Sequence, residues 1–391
     1  MDWFVSRCHL KEEDFISSSG TMCRIMENQE AGISPHTVNL SRSVLKQMIA
    51  VVRSLHGLCD TLRYPALLPE LQETALINTR HYSVLMGYDF HITEEQQVKL
   101  IEVNTNSGGL WLACRCYESN AQQFPEKLAN KLLHSFINEY QLFCQSQKAR
   151  PQLIAIVDQQ PEMQFLYPEM QVFAKLFQQA GIKTVIIDPA DIDAKETALY
   201  YQGQRIDLIY NRHCDFYLQS PEMRVIADAW KNQSVCLTPN PRIYGLLADK
   251  QRMADWSQPG FFKELLSPKQ ASCLQEAIPY TQPLHTYPKD DLWAERKKWV
   301  FKPANGYASR GVYVGEKLTK NKFNSLEPQA TLVQQRIKPS VTETPDGTRF
   351  KTDFRLFVYR DTVTAVSARI YQGQVTNLRT PGGGFSKVRI S

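Results

Sequence analysis

Apolar positions along the chain recur with two different periods, and the period changes where the elements change. Residues 1 to about 40 mix apolar and polar residues without a clear repeat. From Ser41 to Cys59 the apolar residues Val44, Met48, Val51, Val52 and Leu55 follow helical spacing behind a serine suited to cap the first turn. A second helix is predicted to open at Phe124-Pro125-Glu126, with proline in its first turn and a stripe of Leu128, Leu132, Leu133, Phe136, Ile137 and Tyr140. Such stripes are core and carry no chemistry. Past residue 150 short continuous apolar runs take over: Leu153 to Val157 ending in Asp158, Thr184 to Ile187 ending in Asp188, and Ile206 to Tyr210 ending in Asn211-Arg212. A helix between the first two, Glu169 to Ala180, stops at Gly181. Strand, helix, strand alternation predicts a small parallel α/β unit over 151–245, whose ligands bind at the carboxyl ends of the strands. Arg212 falls at such an end, and a surface salt bridge is the plain alternative for it.

Between the two helices lies a predicted hairpin. The apolar runs Tyr88-Asp89-Phe90-His91-Ile92 and Val98 to Ile101, the second delivering Glu102 and then Asn104, flank a turn at Thr93 to Gln97. Residues i and i+2 of a strand share a face, so Glu102 and Asn104 present two oxygens side by side, with Asp89 as a third across the hairpin. Hard cations such as magnesium take oxygen ligands of this kind. Two surface acids beside a turn would give the same pattern.

The last third holds more strands and more charge. Asp249-Lys250 opens a helix through Met253 and Trp256, and a Pro- and Ser-rich loop follows to about Asp290. Trp299 to Pro303 is a strand carrying Lys302. A small-residue loop over 304–310 and a return strand, Gly311 to Gly315, come next. Such a hairpin can turn its backbone amides toward an anion, although it lacks the spacing of a P-loop. Thr331 to Ile337, Asp353 to Tyr359 and Thr362 to Ile370 alternate as strands, which places Asp353 and Arg355 on one face. Thr376-Asn377 leads to three consecutive glycines, Gly382 to Gly384, read as a mobile lid or a close backbone approach.

Composition narrows the class. The 391 residues suit two or three packed units, and 43% hydrophobic with 22% charged residues is ordinary for a globular chain. A net charge of +5 argues for anionic substrates and against nucleic acid, which needs a concentrated basic face. Nine cysteines without a CxxC pair read as reduced thiols of a cytoplasmic protein. Neither a leader-like apolar stretch at the start nor a membrane-length apolar run is evident.

Taken in order, these pieces resemble the ATP-grasp superfamily. Asp249-Lys250 looks like its first ATP lysine, and Phe301-Lys302-Pro303 with Ser309 and Gly311 like the second lysine and its phosphate loop. Val333-Gln334-Gln335 looks like the adenine hinge, and Asp353-Phe354-Arg355 with Arg369 like the paired "D-x-R … R" strands. The magnesium strand, usually last, is found instead at Asp89 … Glu102-Val103-Asn104. That is the order of circularly permuted members such as eukaryotic-type glutathione synthetase and glutathionylspermidine synthetase.

The resemblance implies an α/β (α+β), circularly permuted ATP-grasp fold. Its divisions would be an N-terminal helical region over 1–150 that includes the metal hairpin (80–110), a substrate domain over 151–245, and nucleotide-binding lobes over 246–391. It implies ATP and Mg2+ as cofactors, the metal on Asp89, Glu102 and Asn104, and the phosphates on Lys250 and Lys302. Arg355, Arg369 and Arg379 would stabilise the transferred phosphoryl group, Asn377 and Gly383 would belong to the closing loop, and Arg212 with Asn106 and Ser107 would grip a carboxylate. The implied reaction is ATP-dependent joining of a small carboxylate to an amine or thiol. Phosphoryl transfer to a different acceptor and non-catalytic nucleotide binding are the alternatives. The expected partners are small molecules, with neither nucleic acid nor membrane, and a homodimer is left open.

Two departures stand out. Gly87 occupies the position of an arginine in those synthetases, with Arg80 as the upstream arginine that could compensate, and the stretch after Lys302 offers Asn305 where they place an acid. The permuted order also makes a structural prediction: the Asp89–Asn104 hairpin should pair in one sheet with residues 353–370.

Overall fold

The computed structural model describes residues 32–68, 71–304, 311–378 and 380–391. Its largest sheet has seven strands. Six run in the order Ile33–Leu40, Gly384–Ile390, Thr362–Tyr371, Arg349–Tyr359, Met86–Ile92 and Val98–Asn104, and Ser340–Glu343 pairs beside Arg349–Tyr359. The hairpin of residues 86–104 therefore does lie against the 349–371 strands, antiparallel, with Asp89 opposite Arg355 and Phe90 opposite Phe354. Strand alternation gives this sheet two unlike faces. One buries Tyr88, Phe90, Leu100, Phe354, Leu356 and Ile370 beneath the helix Arg42–Cys59, whose Val44, Met48, Val51 and Leu55 meet them. Ser41 caps that helix as expected, its Oγ accepting from the Val44 amide at 3.3 Å. Each large side chain buried here is worth about 1.5–3 kcal/mol, which leaves the opposite face free to carry charge.

The second sheet is parallel, in the order Cys236–Thr238, Leu208–Asn211, Leu153–Val157, Lys183–Ile187. Its inner strands are buried on both faces, as continuous apolar runs predict. Phe136 of helix Glu126–Cys144, with Phe173 and Phe177 of helix Tyr167–Gln179, covers one side; Ile226 and Trp230 of helix Arg224–Lys231 cover the other. A third, four-stranded antiparallel sheet orders Thr281–Pro283, Thr331–Gln335, Trp299–Pro303 and Tyr313–Val314 around its own small core of Phe301, Phe323, Leu284 and Val333. It forms a lobe facing the charged side of the first sheet across a cleft.

Several elements differ from the sequence expectation. Ile33–Leu40 is a strand, paired parallel with Gly384–Ile390 at the other end of the chain, where no regular element was expected. The Pro- and Ser-rich stretch contains the helix Pro268–Ala277, opened by a Ser267–Gln270 capping box with Pro268 in its first turn. Pro125 stands at the N-cap of its helix rather than inside the first turn. The three glycines form a packed turn, not a lid. A Cβ on Gly383 would meet the Ile370 carbonyl at 2.6 Å, and Gly384 has φ +119 beside the Gly32 carbonyl. Close backbone approach is thus the reason for glycine here. No helix among the described residues is long and apolar enough to cross a membrane.

Candidate active site

The charged face of the seven-stranded sheet forms the floor of a cavity of about 530 Å³, roofed by the 281–335 lobe. Cross-strand register builds its centre. Asp89 lies opposite Arg355 on one side and Glu102 on the other; Asp353 lies opposite Arg369. Arg355 grips Asp89 with two parallel bonds, Nε to Oδ1 and Nη2 to Oδ2, both at 2.7 Å. Arg369 reaches Asp89 Oδ2 at 3.0 Å and donates from Nε to Asp353 Oδ1 at 2.6 Å. Thr376 completes Asp353 by donating to Oδ2 at 2.6 Å. All four charged groups are buried. The arginines hold the Asp89 carboxyl well below the usual carboxylate range against the opposing cost of burial.

Glu102 and Asn104 stand beside this network. The Asn104 amide nitrogen lies 3.3 Å from Asp89 Oδ2 and 3.3 Å from Glu102 Oε1, between the two acids. Among the described residues no cluster of three or more His, Cys, Asp and Glu could hold a metal ion. Asp89, Glu102 and a turned Asn104 amide supply only two carboxylates and one neutral oxygen. That is the donor set of a magnesium whose remaining positions are filled by water and nucleotide phosphates. The residues fit such an ion, and Asp89 would share its oxygens between it and two guanidinium groups.

Lys302 and Lys250 border the same cavity from the opposite side. A bulge in the hairpin leaves Ile101 without a cross-strand partner, and its carbonyl accepts from Lys302 Nζ at 3.3 Å. Burial, and secondarily the nearby Lys250 charge, bring Lys302 down to about 8, although Glu102 and Asp89 act the other way. Gln334 and Gln335 also line the cavity. Thr281 donates its hydroxyl to the Pro279 carbonyl at 2.9 Å and accepts from Gln334 Nε2 at 3.2 Å. That chain fixes the Gln334 amide, so its oxygen is the end left to accept a bond. Gly311 turns over Pro303 with φ +71, and the neighbouring Val312 and Val314 add apolar wall.

The remaining expected residues fall elsewhere. Arg212 is buried below the cleft at the carboxyl end of the parallel sheet, and it is not among the cavity's lining residues. Its Nη1 donates to Asn106 Oδ1 and to Tyr210 Oη (3.3 Å for the latter), and Asn106 returns a bond to the Arg212 carbonyl at 2.6 Å. Ser107 is buried with its hydroxyl unpartnered beside Gly87. The cavity wall runs along Gly373 to Thr376; Asn377 accepts from the Thr380 amide, and Gly383 sits in the packed turn described above. Ser309, Arg379 and Asn305 lie outside the described residues. Arg80 bonds Gln145 on the surface, so it does not supply the charge absent at Gly87.

Sequence reasoning missed three participants. His91 shares the Asp89 face and lines the cavity, its Nδ1 donating to the Ile337 carbonyl at 3.0 Å. Period-two alternation from Asp89 could have found it. Lys351 likewise alternates with Asp353 and borders the cavity. Glu169, buried, accepts from the Gly109 and Trp111 amides at 3.1 and 2.8 Å and anchors the loop after Asn104; nothing in its helical stripe marks that role.

No protein-family model matches the chain, and no curated protein matches it. Among solved structures, it is similar to a protein of Methylobacillus flagellatus KT provisionally named a gamma-glutamylcysteine synthetase, at 8% identity and a TM-score of 0.50 over 87% of this chain and 86% of that one. At that identity the likeness concerns the fold alone. The ATP-grasp ligase PsnB, in complexes with Mg and ADP or with AMPPNP, aligns at 11% identity and a TM-score of 0.32 over 60% of this chain and 87% of its own, too slight a likeness to build on.

Proposed function

We propose that this protein is an ATP- and Mg2+-dependent ligase with a circularly permuted ATP-grasp fold, which activates a carboxylate as an acyl phosphate and joins it to an amine or thiol. The observation that carries the reading is the meeting, in one cleft, of Lys250 and Lys302 with Asp89, Glu102 and Arg369, with Asn104 and Arg355 bonded to Asp89 beside it. The sequence places these residues in four separate stretches. A protein of similar fold is provisionally named a gamma-glutamylcysteine synthetase, which agrees with amino acids as the class of carboxylate and amine.

In this reading Lys250 and Lys302 bind the phosphates, and the Gln334 oxygen accepts from the exocyclic amine of adenine. Bound magnesium would neutralise charge on the β- and γ-phosphates. A carboxylate oxygen attacks the γ-phosphorus, ADP leaves, and Arg369, flanked by Asp353, is aimed at the charge that develops on the transferred group. The amine then attacks the acyl carbon, phosphate departs, and the amine loses a proton. Arg355 holds Asp89 rigidly rather than meeting the substrate. Arg212, clamped by Asn106, orders the 105–109 loop at the floor of the acceptor side, and any grip it has on the carboxylate is through atoms beyond those bonds.

The test is phosphate release from ATP in the presence of pools of amino acids and polyamines. Stimulation by a carboxylate–amine pair is expected, with hydroxylamine trapping a hydroxamate from the acyl phosphate. Phosphoryl transfer without a trappable hydroxamate would replace ligation by phosphotransfer to another acceptor. Tight ATP binding without turnover on any acceptor would leave a nucleotide-binding protein.

A further inference from the structure

Lys250 belongs to a backbone turn that is held from outside its own lobe. The segment Tyr244–Ala248 is a π-helical turn, closed by the Asp249 amide donating to the Tyr244 carbonyl at 2.9 Å, and the α-helix Gln251–Trp256 begins straight after it. Such turns are uncommon and tend to mark functional positions. Asp249 and Lys250 are the two residues between the two helical elements. The Asp249 carboxylate brackets Lys250: Oδ1 accepts from the Gln251 amide at 2.9 Å, across the lysine. Oδ2 accepts from the Tyr217 hydroxyl at 2.5 Å.

Tyr217 comes from a different part of the chain. It lies on the loop that leaves the carboxyl end of the parallel sheet just after Arg212. Phe216 stacks on Tyr244 with centroids 4.5 Å apart and an 18° interplanar angle, and Tyr217 meets the same ring edge-on at 4.9 Å. The loop is pinned on its outer side, where Thr74 donates to the Tyr217 carbonyl at 2.9 Å and the Ser220 amide donates to Asp215 at 2.6 Å. Gly245 permits the close packing: a Cβ there would stand 2.7 Å from Ala75 and 3.5 Å from the Tyr217 hydroxyl.

We infer that Tyr217 is a positioning residue for nucleotide binding: through Asp249 it fixes the turn that presents Lys250 to the phosphates. The inference rests on the reading of Lys250 as a phosphate-binding lysine. Its signature is selectivity for phosphate. Adenosine, which lacks phosphates, makes no use of Lys250, whereas AMPPNP does. Tyr217→Phe keeps both aromatic contacts and removes one charge-assisted hydrogen bond. It should weaken Mg·AMPPNP binding about three- to tenfold and leave adenosine binding unchanged. Asp249→Asn, which keeps an oxygen for the Gln251 amide, should show the same selective loss and guards against a folding defect in the first variant.

Calorimetric titration of the full chain and both variants with each ligand reads this directly. Unchanged AMPPNP affinity in both variants would overturn the role of Tyr217, as would an equal loss for adenosine accompanied by a lower melting temperature. Failure of the unaltered protein to bind AMPPNP at all would instead overturn the nucleotide reading and the inference with it.

Discussion

The floor of the cleft and the carboxyl end of the parallel sheet both bury arginine, and they do it in opposite ways. In the cleft, Arg355 and Arg369 meet full carboxylates, and those carboxylates are in turn held by guanidinium and hydroxyl donors. Below it, Arg212 rests on neutral partners, Asn106, Tyr210 Oη and the Tyr210 ring at 5.4 Å. The acids near it answer its charge at a distance: burial pushes Asp158 up to about 7 and raises Glu169 as well, while Arg212 opposes both shifts. Paired groups make a rigid platform; Glu102, Lys302 and the guanidinium nitrogen that Arg369 leaves outside its ion pairs are the ones with most bonding capacity left to meet a ligand. The 105–109 loop joins the regions, since the Gly108 carbonyl accepts from Arg355 at 3.2 Å while Asn106 holds Arg212.

The contrast breaks first at Asp89. Asp89→Ala should destabilise the fold by about 3–5 kcal/mol, because it strands the buried Arg355 guanidinium and leaves Arg369 with Asp353 alone; chemical denaturation measures it. An effect below about 1 kcal/mol would mean the platform is not a platform. Glu102→Ala should do the reverse, costing about 3–4 kcal/mol of barrier, or roughly 10²–10³ in phosphate release, with a melting temperature close to that of the parent. Equal losses of stability in the two variants would erase the distinction between platform and ligand-facing group.

Gly87→Ala sharpens the picture at the junction. A Cβ there would stand 2.4 Å from the Ser107 hydroxyl and 3.4 Å from Arg355 Nε, so the variant should lose about 1–3 kcal/mol through overpacking. An arginine cannot simply be restored at this position, because Ser107 and Arg355 already fill the space.

The smallest effect concerns Lys302. Its ammonium is held down to about 8 by burial and by Lys250, and phosphate would raise it again. Nucleotide binding should then take up a proton above pH 8, and affinity should fall by up to about tenfold per pH unit from there toward the ordinary lysine range. Below pH 8 it should be flat with respect to this group. Lys302→Arg, which stays charged, should abolish the slope. For stability the sign is opposite: the unfolded chain binds the extra proton between about 8 and 10.4, so the lysine's burial penalty is relieved as pH rises through that window.

Period-two alternation made much of the platform legible, because Asp89, Glu102, Asn104, Asp353 and Arg355 each declare a face of their own strand. The apolar runs of the parallel sheet were equally plain. What alternation cannot report is partnership across hundreds of residues. The strand Ile33–Leu40 interleaves proline, histidine and asparagine with its apolar positions, and Gly384–Ile390 mixes glycine, serine, lysine and arginine. Neither reads as a strand until the other is beside it. The same limit hid the reason for the three glycines, which is the carbonyl of Ile370, and the tie between Tyr217 and Asp249.

That long-range pairing has a consequence for how the protein comes to exist. A growing chain makes the 86–104 hairpin long before the strand it pairs with, Arg349–Tyr359, and the pairing of Ile33–Leu40 waits for Gly384–Ile390. Sheets assembled from such distant segments close slowly. The parallel unit, by contrast, is contiguous from residue 153 to 238 and can condense early. Asp89 therefore waits for Arg355, 266 residues further on, and for Arg369 beyond it, and in the reading proposed above nucleotide binding should follow only after those strands have joined the sheet.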